Sequence, residues 1–138
     1  MDYIIDKSEV LSYLGHSDQT IDDKLNKTID DMIAKAYEFI KPLNVYGIYS
    51  VNTDEDNDVV NFDGIFTAKS KDLSKLLQYS SDTVIIAFTL GNIIEQNIRL
   101  FSYTDINKAL ILDCCASAAI ESYADNVIEK IREDLRQT

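Results

Sequence analysis

Residues 109–125, ALILDCCASAAIESYAD, determine the architecture of the C-terminal half of the chain. Small and apolar residues recur there at spacings of three and four, which is the period of one face of an α-helix. Thr104 or Asp105 can cap this helix, and the pattern continues to about Leu135. The predicted core face consists of Ala109, Leu112, Ala116, Ala119, Tyr123, Val127, Ile131 and Leu135. The sequence therefore predicts one long C-terminal helix that other elements can approach closely.

Polar residues form a second stripe on the same helix. Asp113, Ser117, Glu121 and Asp125 follow one another at four-residue steps. Each step rotates by only about 40°, so the four side chains stay on one side of the helix. This stripe is either the solvated side of the helix or the wall of a cleft.

The two cysteines, Cys114 and Cys115, are adjacent in the sequence. Neighbouring cysteines close no loop, so a stabilising disulfide between them is not expected, and their use suits a reducing compartment. We expect buried free thiols, with a redox pair as the alternative.

The composition is typical of one globular domain: 138 residues, 46% hydrophobic and 27% charged. The formal net charge of −11 disfavours nucleic acid and anionic membranes as partners, because both bind clustered Lys and Arg. No apolar run approaches the roughly 20 residues of a transmembrane helix, and the N-terminus lacks a signal-peptide pattern. We expect a single cytoplasmic domain.

The first half of the chain predicts two helices and two strands. A short helix begins at Asp6 or Ser8 and stops at Gly15, and a second helix runs from Thr20 to the Lys41-Pro42 pair. Two antiparallel strands are predicted at residues 44–51 (NVYGIYSV) and 59–67 (VVNFDGIFT), with the acidic run 52–58 as a hairpin tip.

The remaining elements complete an α+β pattern. Ser70 can cap a third helix, and the apolar run at residues 83–89 (TVIIAFT) predicts a strand buried on both faces and central in its sheet. Gly91 then leads into a helix that precedes the long one. The order ααββαβαα predicts a small twisted antiparallel sheet flanked by helices.

Few residues carry chemistry on their own. The hairpin tip has Asp54, Asp56 and Asp58 at the alternate spacing that begins a calcium loop, but Val59 stands where that loop needs glycine. His16 is the only histidine, so neither a zinc site nor a Ser-His-Asp triad can be assembled in a usual form.

Gly91 lies where a strand gives way to a helix. The first amide groups of that helix could meet an anionic ligand group, although a turn residue is the simpler interpretation.

Three stretches together resemble the activation domain of cobalamin-dependent methionine synthase. They are residues 6–15 (DKSEVLSYLG), 84–91 (VIIAFTLG) and 103–131 (YTDINKALILDCCASAAIESYADNVIEKI), in one order that covers nearly the whole chain. The resemblance implies a domain that binds S-adenosylmethionine and docks onto the cobalamin domain of a partner. Oxidised cobalamin is then reductively methylated, with an electron from flavodoxin or a similar donor. The protein's part in this chemistry is to position the methyl donor.

The resemblance also implies site residues. Asp6 matches an aspartate that contacts the nucleoside ligand, and Ser117 takes the place of a ligand-contacting glutamate, with Glu121 one turn later. With Gly91, these three are the candidate cofactor-binding residues, and we expect no catalytic side chain and no metal ligand. The family's Arg-x-x-x-Gly-Tyr motif would fall beyond residue 138, so we expect a truncated or shortened member.

The leading hypothesis is therefore a reactivation-domain-like protein that serves a corrinoid methyltransferase. A non-catalytic module whose acidic surface docks a more basic partner is the alternative. A stand-alone hydrolase or transferase ranks last, because the sequence offers no convincing nucleophile–base pair. A homodimer is a further expectation, since a second copy could cover apolar surface that a shortened chain leaves open.

Overall fold

The computed structural model describes residues 2–16 and 21–137, and it shows an α+β fold. The described elements are α1 (Lys7–Tyr13), α2 (Asp23–Phe39), β1 (Leu43–Asp54), β2 (Val59–Phe62), β3 (Phe66–Lys69), α3 (Lys71–Leu77), β4 (Asp82–Thr89), α4 (Asn92–Thr104) and α5 (Ile106–Arg136). The predicted fold class is confirmed, including the antiparallel sheet and the long C-terminal helix.

The chain divides into two compact units. The helical unit consists of the residues up to Leu43 and from Phe88 onward, and the sheet unit consists of residues 44–87. None of the helices within residues 2–16 and 21–137 combines the length and apolar character that a bilayer crossing needs.

Aspartate side chains cap α1, α2 and α5. Asp6 accepts a hydrogen bond from Ser8 N at 2.9 Å, and Asp105 accepts one from Lys108 N at 3.3 Å. Asp22 begins α2 in the same way. These bonds satisfy amide groups that have no partner inside the first turn of a helix. Where the sequence offered two possible caps, the structure uses the aspartate.

The second predicted helix is present from Asp23 to Phe39, and its predicted start at Thr20 lies outside the described residues. It ends shortly before Pro42. This is expected, because the ring of a proline disfavours helical geometry at the residue before it. Gly15 follows α1 with a φ of 86°, a left-handed conformation that glycine adopts without strain.

Helix α5 supplies the centre of the helical core, where it packs against α1, α2 and α4. The predicted stripe is buried at Ala109, Leu112, Ala119, Tyr123 and Ile131 and half-buried at Ala116 and Val127. Leu135 was predicted to lie in the core and is 42% exposed, so that prediction is wrong. The buried side of α5 ends at Ile131, and the last turn therefore has no core to face.

The sheet has the strand order β3-β2-β1-β4. The predicted hairpin is confirmed: β1 and β2 are antiparallel, with Val51 opposite Phe62 and Asp54 opposite Val59. Residues 55–58 turn the chain between them, whereas residues 52–54, which were predicted to belong to the tip, continue β1 and pair with residues 59–61. Val51, Val60 and Phe62 form the buried cluster of this unit, and Leu73 and Leu77 of α3 pack against it.

The single strand predicted at residues 59–67 is wrong, because the chain reverses inside it. Asp63 and Gly64 both have positive φ, of 57° and 71°, and Ile65 N donates to Phe62 O at 2.9 Å. This is the geometry of a type I′ turn, for which Asp-Gly is a preferred sequence. Residues 66–69 therefore return as β3 along β2.

The central position predicted for residues 83–89 is also wrong. Their strand, β4, lies at the end of the strand order, and Ile85 is 38% exposed. The extra strand β3 adds to the far side of the hairpin, which makes β1 and β2 the central strands. A short apolar run does not by itself show that both of its faces are covered.

Candidate functional site

An acidic cleft lies in the helical unit, between the N-terminal segment with α1 and the middle of α5. Its volume is about 310 Å³, at the lower end of the range for small-molecule sites. It is lined by Ile4, Asp6, Glu9, Glu121, Ser122, Asp125 and Asn126. Four of these residues have carboxylates, and none of the described lining residues is Lys or Arg. The cleft therefore favours a cationic ligand or one rich in hydrogen-bond donors.

Hydrogen bonds fix the N-terminal segment against α5. The amide of Ile4 donates to Ser122 Oγ at 2.9 Å, and Asn126 Nδ2 donates to the carbonyl of Asp2 at 2.9 Å. Both bonds join residues far apart in the sequence. They place the segment that leads to Asp6 beside the turn of α5 that carries Glu121.

Tyr37 of α2 holds the same segment. Its hydroxyl accepts a hydrogen bond from Ile5 N at 2.7 Å, and its ring stacks on Tyr3 with 5.6 Å between the centroids. Burial, and secondly the neighbouring Tyr37, raise the pKa of Tyr3. The wall of the cleft is thus an ordered part of the helical unit.

Asp6 has a structural role as well as a place in the cleft. Both the hydroxyl and the amide of Ser8 donate to its Oδ1, at 2.7 and 2.9 Å. These bonds favour the ionised carboxylate and lower the pKa of Asp6. The Asp6 side chain is solvent-exposed, and a carboxylate has about four acceptor positions, so it can accept further bonds from a ligand.

Glu121 is exposed and lies near Tyr13 of α1. Hydrogen bonding to Glu121 is the main reason that the pKa of Tyr13 is raised, because it favours the protonated phenol. Tyr13 therefore remains a neutral hydrogen-bond donor at the edge of the acidic site.

Ser117 does not join Asp6 and Glu121. It lies in a separate groove of about 310 Å³ between the start of α4 and the first half of α5, together with Asp113, Leu90 and Ile94. The polar stripe predicted on α5 is thus divided: its first half borders this groove, and Glu121 and Asp125 border the acidic cleft.

Gly91 is the residue before α4 and has a φ of 87°. An added Cβ would lie 3.1 Å from the Lys41 carbonyl oxygen, so the close approach of these two backbone segments requires glycine. Its amide already donates to Thr89 Oγ1 at 3.0 Å. These contacts explain why a glycine occupies position 91. Gly91 does not line the acidic cleft.

The cysteines are free and buried, as predicted. Burial raises the pKa of both thiols, that of Cys115 to about 12, and Asp113 adds to the effect at Cys114. A thiol needs its thiolate form for redox exchange. The structure therefore favours the core interpretation over the redox pair.

The acidic hairpin tip is stabilised within itself. Asp54 accepts a hydrogen bond from Asn57 Nδ2 at 2.8 Å, and Asn57 is the main cause of the lowered pKa of Asp54. Across residues 2–16 and 21–137, no three His, Cys, Asp or Glu side chains come together as a metal site.

Three polar residues of the cleft were missed from the sequence: Glu9, Ser122 and Asn126. A signal for them exists in the helical spacing. Glu9 lies three residues after Asp6, and Ser122 and Asn126 are one turn apart beside Glu121 and Asp125. Which helices face each other could not be read from that spacing.

Comparison with known proteins does not indicate a function for this chain, so the function is inferred from the geometry of the acidic cleft. The sequence matches no protein-family model and no curated protein. The resemblance to the activation domain therefore remains a prediction, and the acidic cleft is the feature on which a functional proposal can be based.

Proposed function

We propose that this chain is a reactivation-domain-like accessory protein that binds S-adenosylmethionine in the acidic cleft and presents it to the cobalamin of a partner methyltransferase. One observation carries the proposal: Asp6 and Glu121, far apart in the sequence, line the same cleft. These are two of the residues that the resemblance had connected with the ligand.

The cleft residues suit the donors and positive charges of S-adenosylmethionine. Asp6 can accept hydrogen bonds from ribose hydroxyls or the adenine amino group. Glu121 and Asp125 present negative charge toward the sulfonium and ammonium groups. When bound, the cofactor supplies the methyl group, and the part of the protein is to hold it in place.

The same residues predict weak binding by the isolated chain. The ligand also has a carboxylate, and the described lining of the cleft offers it no Lys or Arg. We expect a dissociation constant of roughly 0.1–1 mM, to be tightened when the partner covers the ligand.

Calorimetric titration of the chain with S-adenosylmethionine tests the proposal. Glu121→Gln keeps the shape of the side chain and removes its charge, so it should weaken binding about tenfold. Glu133→Gln is the matched control, because Glu133 is exposed on the same helix and lies outside the cleft. S-adenosylhomocysteine, which lacks the sulfonium charge, should bind more weakly.

Two results would overturn the proposal. One is the absence of binding to both S-adenosylmethionine and a cobalamin-loaded partner domain. The other is equal weakening by Glu121→Gln and Glu133→Gln, which would show a non-specific charge effect.

A non-catalytic interaction module is the second candidate. Four carboxylates in a cleft whose described lining includes no Lys or Arg also suit a basic segment of a partner protein. In that case an affinity pull-down would recover only proteins unrelated to methyl transfer, and S-adenosylmethionine would not compete with them.

A further inference from the structure

The first part of strand β1 extends beyond its neighbour β2. In the strand order, β1 has β2 on one side and β4 on the other. Strand β2 pairs with residues 51–54 of β1, and just past its end the amide of Asp63 donates to Ser50 O at 2.9 Å. In the part of the chain that the structure describes, no strand continues beside residues 45–49 on this side. We call residues 45–49 the open edge of β1.

The backbone groups of Tyr46 and Ile48 point outward from the open edge. Ser50 O bonds on the β2 side, whereas Val51 N donates on the other side, to Ser81 O at 2.9 Å. Successive residues of a strand direct their N–H and C=O groups to opposite sides. The burial of residues 47–54 alternates without interruption, so the strand is regular there. Tyr46 and Ile48, like Ser50, therefore direct these groups to the β2 side, where a further strand can bind them.

The side chains of the open edge are exposed and apolar. Val45 is 67% exposed, Tyr46 is 43% exposed and Ile48 is 52% exposed. Residues 42–53 include no charged side chain. Proteins usually protect an edge strand from pairing with charged residues, prolines or short strands. An uncharged apolar edge is instead the kind of surface that binds an added strand.

The two outer strands of the sheet differ from the open edge in this respect. Strand β3 is only four residues long and ends in Lys69. Strand β4 begins with Asp82, and its Ile85 is 38% exposed. Each of these strands has a charged residue that opposes pairing, whereas the open edge has none.

The open edge is complementary to itself. In an antiparallel pair centred on Gly47, Tyr46 of one copy lies opposite Ile48 of the other, and Val45 lies opposite Tyr49. Aromatic and β-branched side chains directly opposite one another stabilise a strand pair. In this register the outward backbone groups of Tyr46 and Ile48 also meet and can exchange hydrogen bonds.

A second copy would also extend the small core of the sheet unit. Val45, Tyr49 and Val51 share one face of β1, and Tyr49 packs beside the buried cluster, with 6.0 Å between the centroids of its ring and that of Phe66. Opposite residues of paired strands share a face, so Val45 of the second copy would cover Tyr49. Gly47 suits this approach, because the ring of Tyr49 lies where its Cβ would be, 2.9 Å away.

We propose that two copies of this chain form a symmetric dimer through their open edges, with antiparallel strands and the two-fold axis beside Gly47. The second copy supplies the uncharged apolar strand that the edge requires, and the pairing avoids the charged surface of a chain whose formal net charge is −11. The inference is independent of the proposed function, because it concerns the sheet unit and needs neither S-adenosylmethionine nor cobalamin.

Sedimentation equilibrium of the full chain tests the dimer. We expect a dissociation constant of roughly 10–100 μM, because two short strands make a small interface. Ile48→Lys should weaken the dimer at least about tenfold, since it places a charge on the pairing edge. Leu76→Lys is the matched control, because Leu76 is 76% exposed on α3, and it should leave association unchanged. Circular dichroism of each variant verifies its fold.

Tyr46→Pro tests the backbone part of the pairing. Proline removes an amide that points toward the second copy and leaves the amides that point toward β4. It should weaken the dimer as Ile48→Lys does, and it keeps the test decisive if Ile48→Lys does not fold.

Cross-linking tests the register. In an equimolar mixture of Val45→Cys and Tyr49→Cys chains, the new cysteines lie opposite one another, within reach of a disulfide. With glutathione disulfide as oxidant, the mixture should form covalent dimers about tenfold faster than either variant alone. The native Cys114 and Cys115 are buried and are the same in all three samples.

The proposal is overturned if the chain remains monomeric at millimolar concentration, which would leave a strand of another protein as the occupant of the open edge. It is equally overturned if Leu76→Lys weakens the dimer as much as Ile48→Lys and Tyr46→Pro do, or if either cysteine variant alone cross-links as fast as the mixture.

Discussion

The helical unit and the sheet unit bury their apolar side chains to different extents. In the helical unit, α5 is covered along several turns, and Leu112 is fully buried. In the described part of the sheet unit the buried cluster is limited to Val51, Val60 and Phe62, while Tyr79 is 93% exposed. Apolar residues make up similar fractions of the two units, but the buried cores of the two units differ in size.

The difference follows from the geometry of their elements. A helix can be surrounded by other helices, as α5 is by α1, α2 and α4, so that a wide apolar face is covered. A sheet has two faces, and within the sheet unit α3 is short and packs on part of one. We therefore expect the helical unit to hold most of the stability and the sheet unit to open more readily.

Removing a buried leucine from α5 should give the largest effect. Leu112→Ala should lower the free energy of unfolding by about 2–5 kcal/mol, through lost burial and the cavity left behind. Val60→Ala, in the sheet unit, removes two methyl groups and should cost about 1–3 kcal/mol. Denaturant unfolding followed by circular dichroism measures both values.

Leu110→Ala is the control for the helix position, because Leu110 is 55% exposed on the same helix. It should change stability by less than about 0.5 kcal/mol. A larger loss for Val60→Ala than for Leu112→Ala would contradict the unequal distribution of stability between the units.

The pH dependence of stability tests how tightly α5 is packed. Burial raises the pKa of Cys115 from 9.0 to about 12, so between these values the unfolded chain releases a proton that the folded chain keeps. The contribution of Cys115 to stability is constant below pH 9 and should fall as the pH rises toward 12, by at most about 1.4 kcal/mol per pH unit.

Cys115→Ala should remove this part of the slope, whatever the variant does to absolute stability. The other titratable groups are the same in both proteins, so the difference between the two slopes isolates Cys115. Equal slopes would mean that the thiol ionises in the folded chain and that the core around it admits water.

The same contrast explains what could be predicted of the fold. In the helical unit, caps and apolar spacing are local signals. They correctly predicted the length of α5 and limited each of two caps to a pair, Asp6 or Ser8 and Thr104 or Asp105, of which the structure uses the aspartates. In the sheet unit, the Asp63-Gly64 turn was also a local signal, but it was read as the interior of one strand. The edge position of β4 depends on how distant strands pair, which its own apolar residues do not encode.

The site was only partly predictable for a related reason. Steps of four residues rotate slowly around a helix, so Ser117 and Glu121 lie on one side of α5. They nevertheless face different neighbours, because Ser117 borders a groove with α4 and Glu121 borders the cleft with α1. Helical spacing identifies a side of a helix, and tertiary packing decides what that side meets.

The smallest predicted effect concerns two glycines with positive φ, one in each unit. Gly15 and Gly64 have φ of 86° and 71°, and an added Cβ at either position would meet no atom within 4 Å among the described residues, apart from those of the adjoining residues. Alanine at either position should therefore cost about 1–2 kcal/mol, from conformation alone. Gly64→Asn should cost less than Gly64→Ala, because asparagine tolerates left-handed geometry.

Amide hydrogen exchange shows which residues open more readily in each glycine variant. Gly64→Ala should speed exchange across β2 and β3, because a unit with a small core opens as a whole when its turn is strained. Gly15→Ala should speed exchange only at the end of α1, since the core around α5 remains closed. Exchange that spreads through α5 in Gly15→Ala but stays at the turn in Gly64→Ala would reverse the order of stability between the two units.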